Sequence, residues 1–107
     1  MGELNIENIL KENNIVFQKE KIFDDLKKLR FDFYLPEHNR LIEFDGEQHF
    51  HITHGWNDEK QFEALKERDK IKNDYALSHN ISLVRIPYWE RDNITLELLF
   101  NNKYLIN

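Results

Sequence analysis

Arg30-Phe31-Asp32-Phe33-Tyr34-Leu35-Pro36, a polar turn at Glu37-His38-Asn39, and Arg40-Leu41-Ile42-Glu43-Phe44-Asp45-Gly46 make up the stretch that decides the fold. In its first half Leu29, Phe31, Phe33 and Leu35 alternate with Arg30, Asp32 and Tyr34 and stop at Pro36, the two-residue period of a half-buried strand. Asp32 is therefore expected to point away from the Phe31/Phe33 face. The second half reads as another strand ended by Gly46, so the two form a hairpin. Alternation places Glu43 and Asp45 on one face with Leu41, while Ile42 and Phe44 turn the other way into the core. With the Asp32 strand alongside, three carboxylates converge near one sheet edge, as a hard divalent cation with oxygen ligands requires. The bland alternative is a solvated strand face that carries acids by chance.

Upstream, Leu4, Ile6, Ile9 and Leu10 recur at helical spacing and predict a short amphipathic helix over Glu3–Asn13 that stops at Asn14. Ile15, Phe17 and Lys19 alternate with Val16, Gln18 and Glu20 as an edge strand, followed by a charged turn at Asp24-Asp25-Leu26-Lys27-Lys28. Downstream, residues 48–57 are rich in histidine, lack a period and read as a loop. Asn57 or Asp58 then caps a helix running to about His79, with Phe62, Leu65, Asp69, Lys72 and Ala76 on one stripe. Ile81 to Ile86 is a β-rich run ending at Pro87, and Ile94, Leu98 and Leu99 predict a last helix. The expected class is α/β, with the elements in the order α-β-β-β-α-β-α and no internal repeat.

At 107 residues, with 40% hydrophobic and 33% charged residues and few Gly or Pro, the chain suits one folded domain with one core. It contains no cysteine, which excludes disulfides and thiolate zinc sites and leaves oxygen and imidazole ligands. Mg²⁺, Mn²⁺ or Ca²⁺ come first. Neither a signal peptide nor a membrane span is legible, so a cytoplasmic location is expected, with no membrane partner. The net charge of −5 has the wrong sign for a domain that holds nucleic acid by bulk electrostatics. A catalytic domain that clusters carboxylates around a cation can still be acidic, since the metal supplies positive charge locally.

Gly46 permits a sharp turn after Asp45 and brings Gln48 and His49 to the same corner. A histidine beside a metal-bound water can take its proton, which makes His49 the first candidate for general acid or base. His49, His51 and His54 with Asp45 form a competing nitrogen-rich site for zinc, although their spacing matches no specific zinc motif. Asp69 shares a stripe with Phe62, Leu65 and Ala76, where a charge needs a partner. It is either a boundary residue paired with Lys72 or Arg68, or an active-site carboxylate. Glu3 and Glu7 sit in the first helix, where acids commonly complement the helix dipole. Lys27, Lys28, Arg30, Lys70 and Lys72 are weak candidates for phosphate contacts.

These residues resemble the phage-type homing endonucleases related to the very-short-patch (Vsr-like) mismatch-repair nucleases, within the PD-(D/E)XK nuclease superfamily. The resemblance spans nearly the whole chain. It is carried by Gly2-Glu3, Arg30-Phe31-Asp32-Phe33-Tyr34, Leu41-Ile42-Glu43-Phe44-Asp45-Gly46-Glu47-Gln48-His49-Phe50, Arg68-Asp69-Lys70-Ile71-Lys72-Asn73 and Val84-Arg85-Ile86-Pro87-Tyr88. It implies a central mixed β-sheet flanked by helices and an active site of Glu3, Asp32, His49 and Asp69, and it ranks Glu3 above Glu7. The chain departs from the superfamily in one respect: the glutamate-any-lysine signature reads Glu43-Phe44-Asp45, so the strand lysine is missing. Gln48, His49 or Lys72 is left to orient water or offset charge.

The expectation is thus a divalent-metal-dependent DNA endonuclease, in which Asp32, Glu43 and Asp45 bind Mg²⁺ or Mn²⁺, and Glu3, Gln48, His49, Asp69 and Lys72 complete the site. Residues 1–107 would be one catalytic domain of a longer protein, phage-encoded and working in the host cytoplasm. Recognition of double-stranded DNA would then come from a separate domain or a dimer partner. The alternative is an inert domain that keeps the nuclease fold as a nucleic-acid-binding or assembly module.

Overall fold

Two helices end at an asparagine in the left-handed conformation, and these stops decide where the sheet begins. Helix α1 spans Gly2–Glu12; Asn14 has φ 54°, the Asn14 N–H bonds to the Lys11 carbonyl and that of Ile15 to the Leu10 carbonyl. Helix α2 spans Asp58–Ser78, and Asn80, Leu77, Ile81 and Ala76 repeat the pattern with φ 56° at Asn80. Both are paired C-terminal closures that satisfy orphan carbonyls, and in each an isoleucine follows to enter the core. The structure, a computed structural model, describes residues 2–47 and 58–107.

Strands β1 (Gln18–Lys21), β2 (Phe31–Leu35), β3 (Arg40–Asp45) and β4 (Ser82–Pro87) form a sheet in that order. The β1/β2 and β2/β3 pairs are antiparallel, whereas β3 and β4 are parallel and joined through α2. After a 3₁₀ segment at Tyr88–Asn93, absent from the expected elements, helix α3 (Leu96–Phe100) starts at Thr95, whose side chain accepts the Leu98 N–H. The chain is therefore α/β, with a mixed four-stranded sheet and helices in the expected order.

Both faces of the sheet are covered. Ile6 and Leu10 of α1 and Leu98 and Leu99 of α3 bury against Phe33, Leu35, Ile42, Val84 and Ile86. On the other face Ala76 of α2 joins Phe31, Leu41, Ile81 and Leu83. The near-continuous burial of β4 follows from its parallel, two-sided position.

Four expectations need correction. Leu4 does not join the buried stripe of α1 and is 53% exposed. The first strand begins at Gln18, and Ile15 and Phe17 pack on the core ahead of it. Strand β3 is interior, between β2 and β4, so its acids do not lie at a sheet edge. Phe31 and Phe33 belong to opposite cores, so the two-residue alternation breaks at Asp32. The physical reason lies in how β2 and β3 part company at that residue.

Candidate functional site

The β2/β3 ladder pairs Leu35 with Arg40, Tyr34 with Leu41 and Phe33 with Ile42. At the next position side chains take over from the backbone. The Asp32 N–H donates to Glu43 Oε2 at 2.6 Å, and the Phe44 N–H donates to Asp32 Oδ2 at 2.8 Å. Each carboxylate occupies the place of a backbone carbonyl, so the two acids are oriented by the divergence of the strands itself. From α2, Lys72 Nζ reaches Glu43 Oε1 at 2.6 Å and lies over the Phe31 ring, 5.4 Å from its centroid. Glu43 is buried and this ion pair compensates its charge.

The N-terminus of α1 brings a third acid. A Cβ at Gly2 would overlap the Phe44 ring, so only glycine lets the first turn of α1 sit against β3 at this height. Glu3 follows directly and lines the same groove as Asp32. Glu7, one turn on, is engaged elsewhere by Lys11 and Lys19, both at 2.8 Å. The geometry thus separates the two helix acids, with Glu3 at the groove and Glu7 in a surface ion-pair network.

The Asp32 carboxyl is pushed up to about 7, first by burial and then by the negative charge of Glu43, with Glu3 adding to it. The Phe44 N–H and the Lys72 ammonium act in the opposite direction. The groove above Asp32 has a volume of about 380 Å³; Glu3, Lys28, Arg30, Arg68 and Lys72 are among its lining residues.

Asp45 belongs to a different cluster. Arg85 of β4, 7% exposed, donates from Nη1 to Asp45 at 2.8 Å and lies 3.5 Å from the Asp69 carboxylate. Its Nε donates to Asn73 Oδ1 at 2.8 Å, and its Nη2 to the Asp69 carbonyl at 3.4 Å. Asp69 therefore meets Arg85, and neither of the partners expected for it, Lys72 and Arg68, takes that place. A second cavity of about 510 Å³ adjoins this cluster and includes Trp89, Tyr104 and Ile106.

The expected carboxylate trio is thus distributed. Asp32 and Glu43 stand together with Lys72 and Glu3, while Asp45 and Asp69 stand together around Arg85. Gln48, His49, His51 and His54 lie outside the described residues. Among the described residues no three His, Asp or Glu side chains form a ready-made metal-holding group.

Arg85 carried no assigned role in the sequence, although a signal was present. An arginine inside the apolar run Leu83-Val84-Arg85-Ile86-Pro87 must bury its charge and therefore requires acidic partners. Arg68 was legible only as a possible neighbour of Asp69.

No protein-family model matches the chain, and no solved structure matches it. Over 65 residues it is 29% identical to uncharacterized protein 307L of Invertebrate iridescent virus 6, a match covering 60% of this chain. The match spans a third of that relative's length, 33%. Among the described residues no helix is long and apolar enough to cross a membrane.

Proposed function

We propose that this chain is a divalent-metal-dependent DNA endonuclease domain of the PD-(D/E)XK type, similar to the Vsr-like and homing nucleases. The observation that carries the proposal is Asp32: a partly buried carboxyl beside Glu43 and Glu3, at a groove rimmed by lysine and arginine. Burial first, and then the charges of Glu43 and Glu3, favour a proton on Asp32 near neutrality, and a Mg²⁺ or Mn²⁺ ion would offset that cost with positive charge. The donors are all oxygen, as those ions prefer. Asp32 and Glu3 are the residues to hold the ion; Glu43 and Asp45 are already engaged by Lys72 and Arg85 and act in support. When bound, such an ion polarises a phosphoryl oxygen and lowers the pKa of a coordinated water.

The chain's own contribution is orientation and charge. Two backbone N–H bonds and one ammonium fix Asp32 and Glu43 before any substrate arrives, so no reorganisation is needed on binding. Lys72, presented by α2, offsets the charge of Glu43 beside Asp32, the charge-compensating role that the missing strand lysine leaves open. His49 is retained as the proposed general base, and Asp69 as the acid that Arg85 aims from α2. Gln48 is retained as a water-orienting side chain.

The test is nicking of a supercoiled plasmid with Mg²⁺ or Mn²⁺. Wild type is expected to cleave, and Asp32→Ala and His49→Ala are expected to lose at least about 10²-fold in rate. A second reading, the inert nuclease-fold module, is favoured by one observation: both β3 acids are already neutralised within the chain. Wild type that fails to cleave even when fused to a DNA-binding domain would select that reading.

A further inference from the structure

The groove above Asp32 takes basic side chains from two parts of the chain, the segment before β2 and helix α2, and the way the first is anchored indicates its use. Between β1 and β2 the chain passes through Phe23, Asp25 and Leu26, each tied to the body of the protein. Phe23 packs on Phe31, Tyr34 and Tyr75, with ring centroids 5.1–5.7 Å apart, and Leu26 joins the same core. Asp25 accepts from the Tyr75 hydroxyl at 2.6 Å and meets His79 Nε2 at 3.0 Å, at the C-terminal end of α2. A loop fixed at these points holds the residues after it in place, and those residues are Lys28 and Arg30. Arg68 and Lys72 of α2 line the same groove.

Lys72 is committed to Glu43, and Arg30 makes only a solvent-exposed bridge to Glu20 at 3.4 Å. Lys28 and Arg68 form no ion pair among the described residues. In a chain of net charge −5, two such cations lining the same groove as Asp32 are placed for an anion that comes from outside. Among the described residues the lining contains no Asn, Gln, Ser or Thr, and its one aromatic residue, Phe31, is fully buried, so beyond its charged side chains it offers neither an amide or hydroxyl for base edges nor an exposed ring for stacking.

We infer that Lys28, Arg30 and Arg68 form a two-sided phosphate clamp that seats the sugar-phosphate backbone of one DNA strand along the groove. The clamp presents a phosphate to Asp32 and does not read base sequence. This inference rests on the nuclease reading, and it narrows the basic residues involved. Lys70 is outside the groove and pairs with Asp74 at 2.7 Å, and Lys27 does not line it.

The experiment is fluorescence anisotropy of two labelled DNA duplexes of unrelated sequence. Calcium replaces magnesium, the absence of product is verified on a gel, and the salt concentration is varied. Removing one cation that neutralises a phosphate reduces the slope of log K against log salt by about 1. Lys28→Ala, Arg30→Ala and Arg68→Ala are each expected to flatten the slope by about that amount, to the same extent on both duplexes. Lys103→Ala, whose ammonium meets Glu90 outside the groove, should leave it unchanged. Slopes for Lys28→Ala and Arg68→Ala that match Lys103→Ala, a weakening confined to one duplex, or no binding by wild type would each overturn the clamp. The nuclease reading fails separately. Wild type that binds with a clamp-dependent slope yet never nicks plasmid keeps the clamp and removes the catalysis, whereas nicking with unaltered slopes does the reverse.

Discussion

Two ion clusters lie under α2, each made from acids and one cation, and they are organised on different principles. In the Asp45–Arg85–Asp69 cluster a guanidinium occupies the centre and spends its rigid fork of donors on Asp45, Asp69 and Asn73. In the Asp32–Glu43–Lys72 cluster the lone ammonium reaches Glu43, and Asp32 is left to share space with two other acids. The first arrangement holds β3, β4 and α2 together. The second leaves Asp32 with more acid than base around it at the wall of an open groove, so its carboxyl favours a proton near neutrality.

The sharpest way to break this comparison is to remove the central guanidinium. Arg85→Met is expected to destabilise the fold by about 3–5 kcal/mol, because Asp45 is left as a buried carboxylate without its main compensation. Urea unfolding should show this as a lower midpoint, and adding Asp45→Asn should recover much of the loss. A midpoint that hardly moves would mean that the cluster is not the structural anchor described.

The groove cluster should answer in the opposite sense. The folded-state pKa of Asp32, about 7, lies above the ordinary 3.8, so the folded protein holds a proton that the unfolded chain releases. Stability from this group is intact below about pH 4, falls as pH rises towards 7, and is flat beyond. In chelator at pH 8, Asp32→Asn should therefore be more stable than wild type by on the order of 2 kcal/mol, with the gain disappearing near pH 4. Equal stability of the two proteins across this range would remove the charge imbalance from the account.

Smaller effects are expected at Lys72. Lys72→Met leaves Glu43 with the Asp32 N–H and is expected to cost about 1–2 kcal/mol in urea unfolding. Because Lys72 also draws the Asp32 pKa down, the plasmid-nicking rate of the variant should rise at higher pH than that of wild type. An unshifted profile would separate Lys72 from Asp32.

The fold was legible where a local period and a local stop coincide. The hairpin around Glu37-His38-Asn39, the asparagine stop at Asn14 and the long helix from Asp58 were all readable because propensity, patterning and turn chemistry agree there. The site was legible residue by residue but not in its grouping. Asp32, Glu43 and Asp45 are acids in half-apolar strands, so their need for partners was readable; their assignment to two clusters was not. Alternation gives a face and says nothing of what that face meets. The exposed Leu4 shows the same limit, because helical spacing identifies a stripe without saying how wide a part of it the sheet will cover.

Composition, period and chain stops by themselves determined the element order, the absence of thiolate groups and the strand acids that need partners. These follow from short-range sterics and hydrophobic periodicity, which need no distant partner. Only the tertiary structure decided that Lys72 serves Glu43, that Arg85 joins Asp45 to Asp69, that Glu3 rather than Glu7 reaches the groove, and that Lys28 and Arg68 line one groove. Each of these depends on the parallel placement of β4 beside β3 through α2, or on the close approach of Gly2 to Phe44. Contacts between residues far apart in the chain are selected by how whole elements pack, and no window of sequence contains that information.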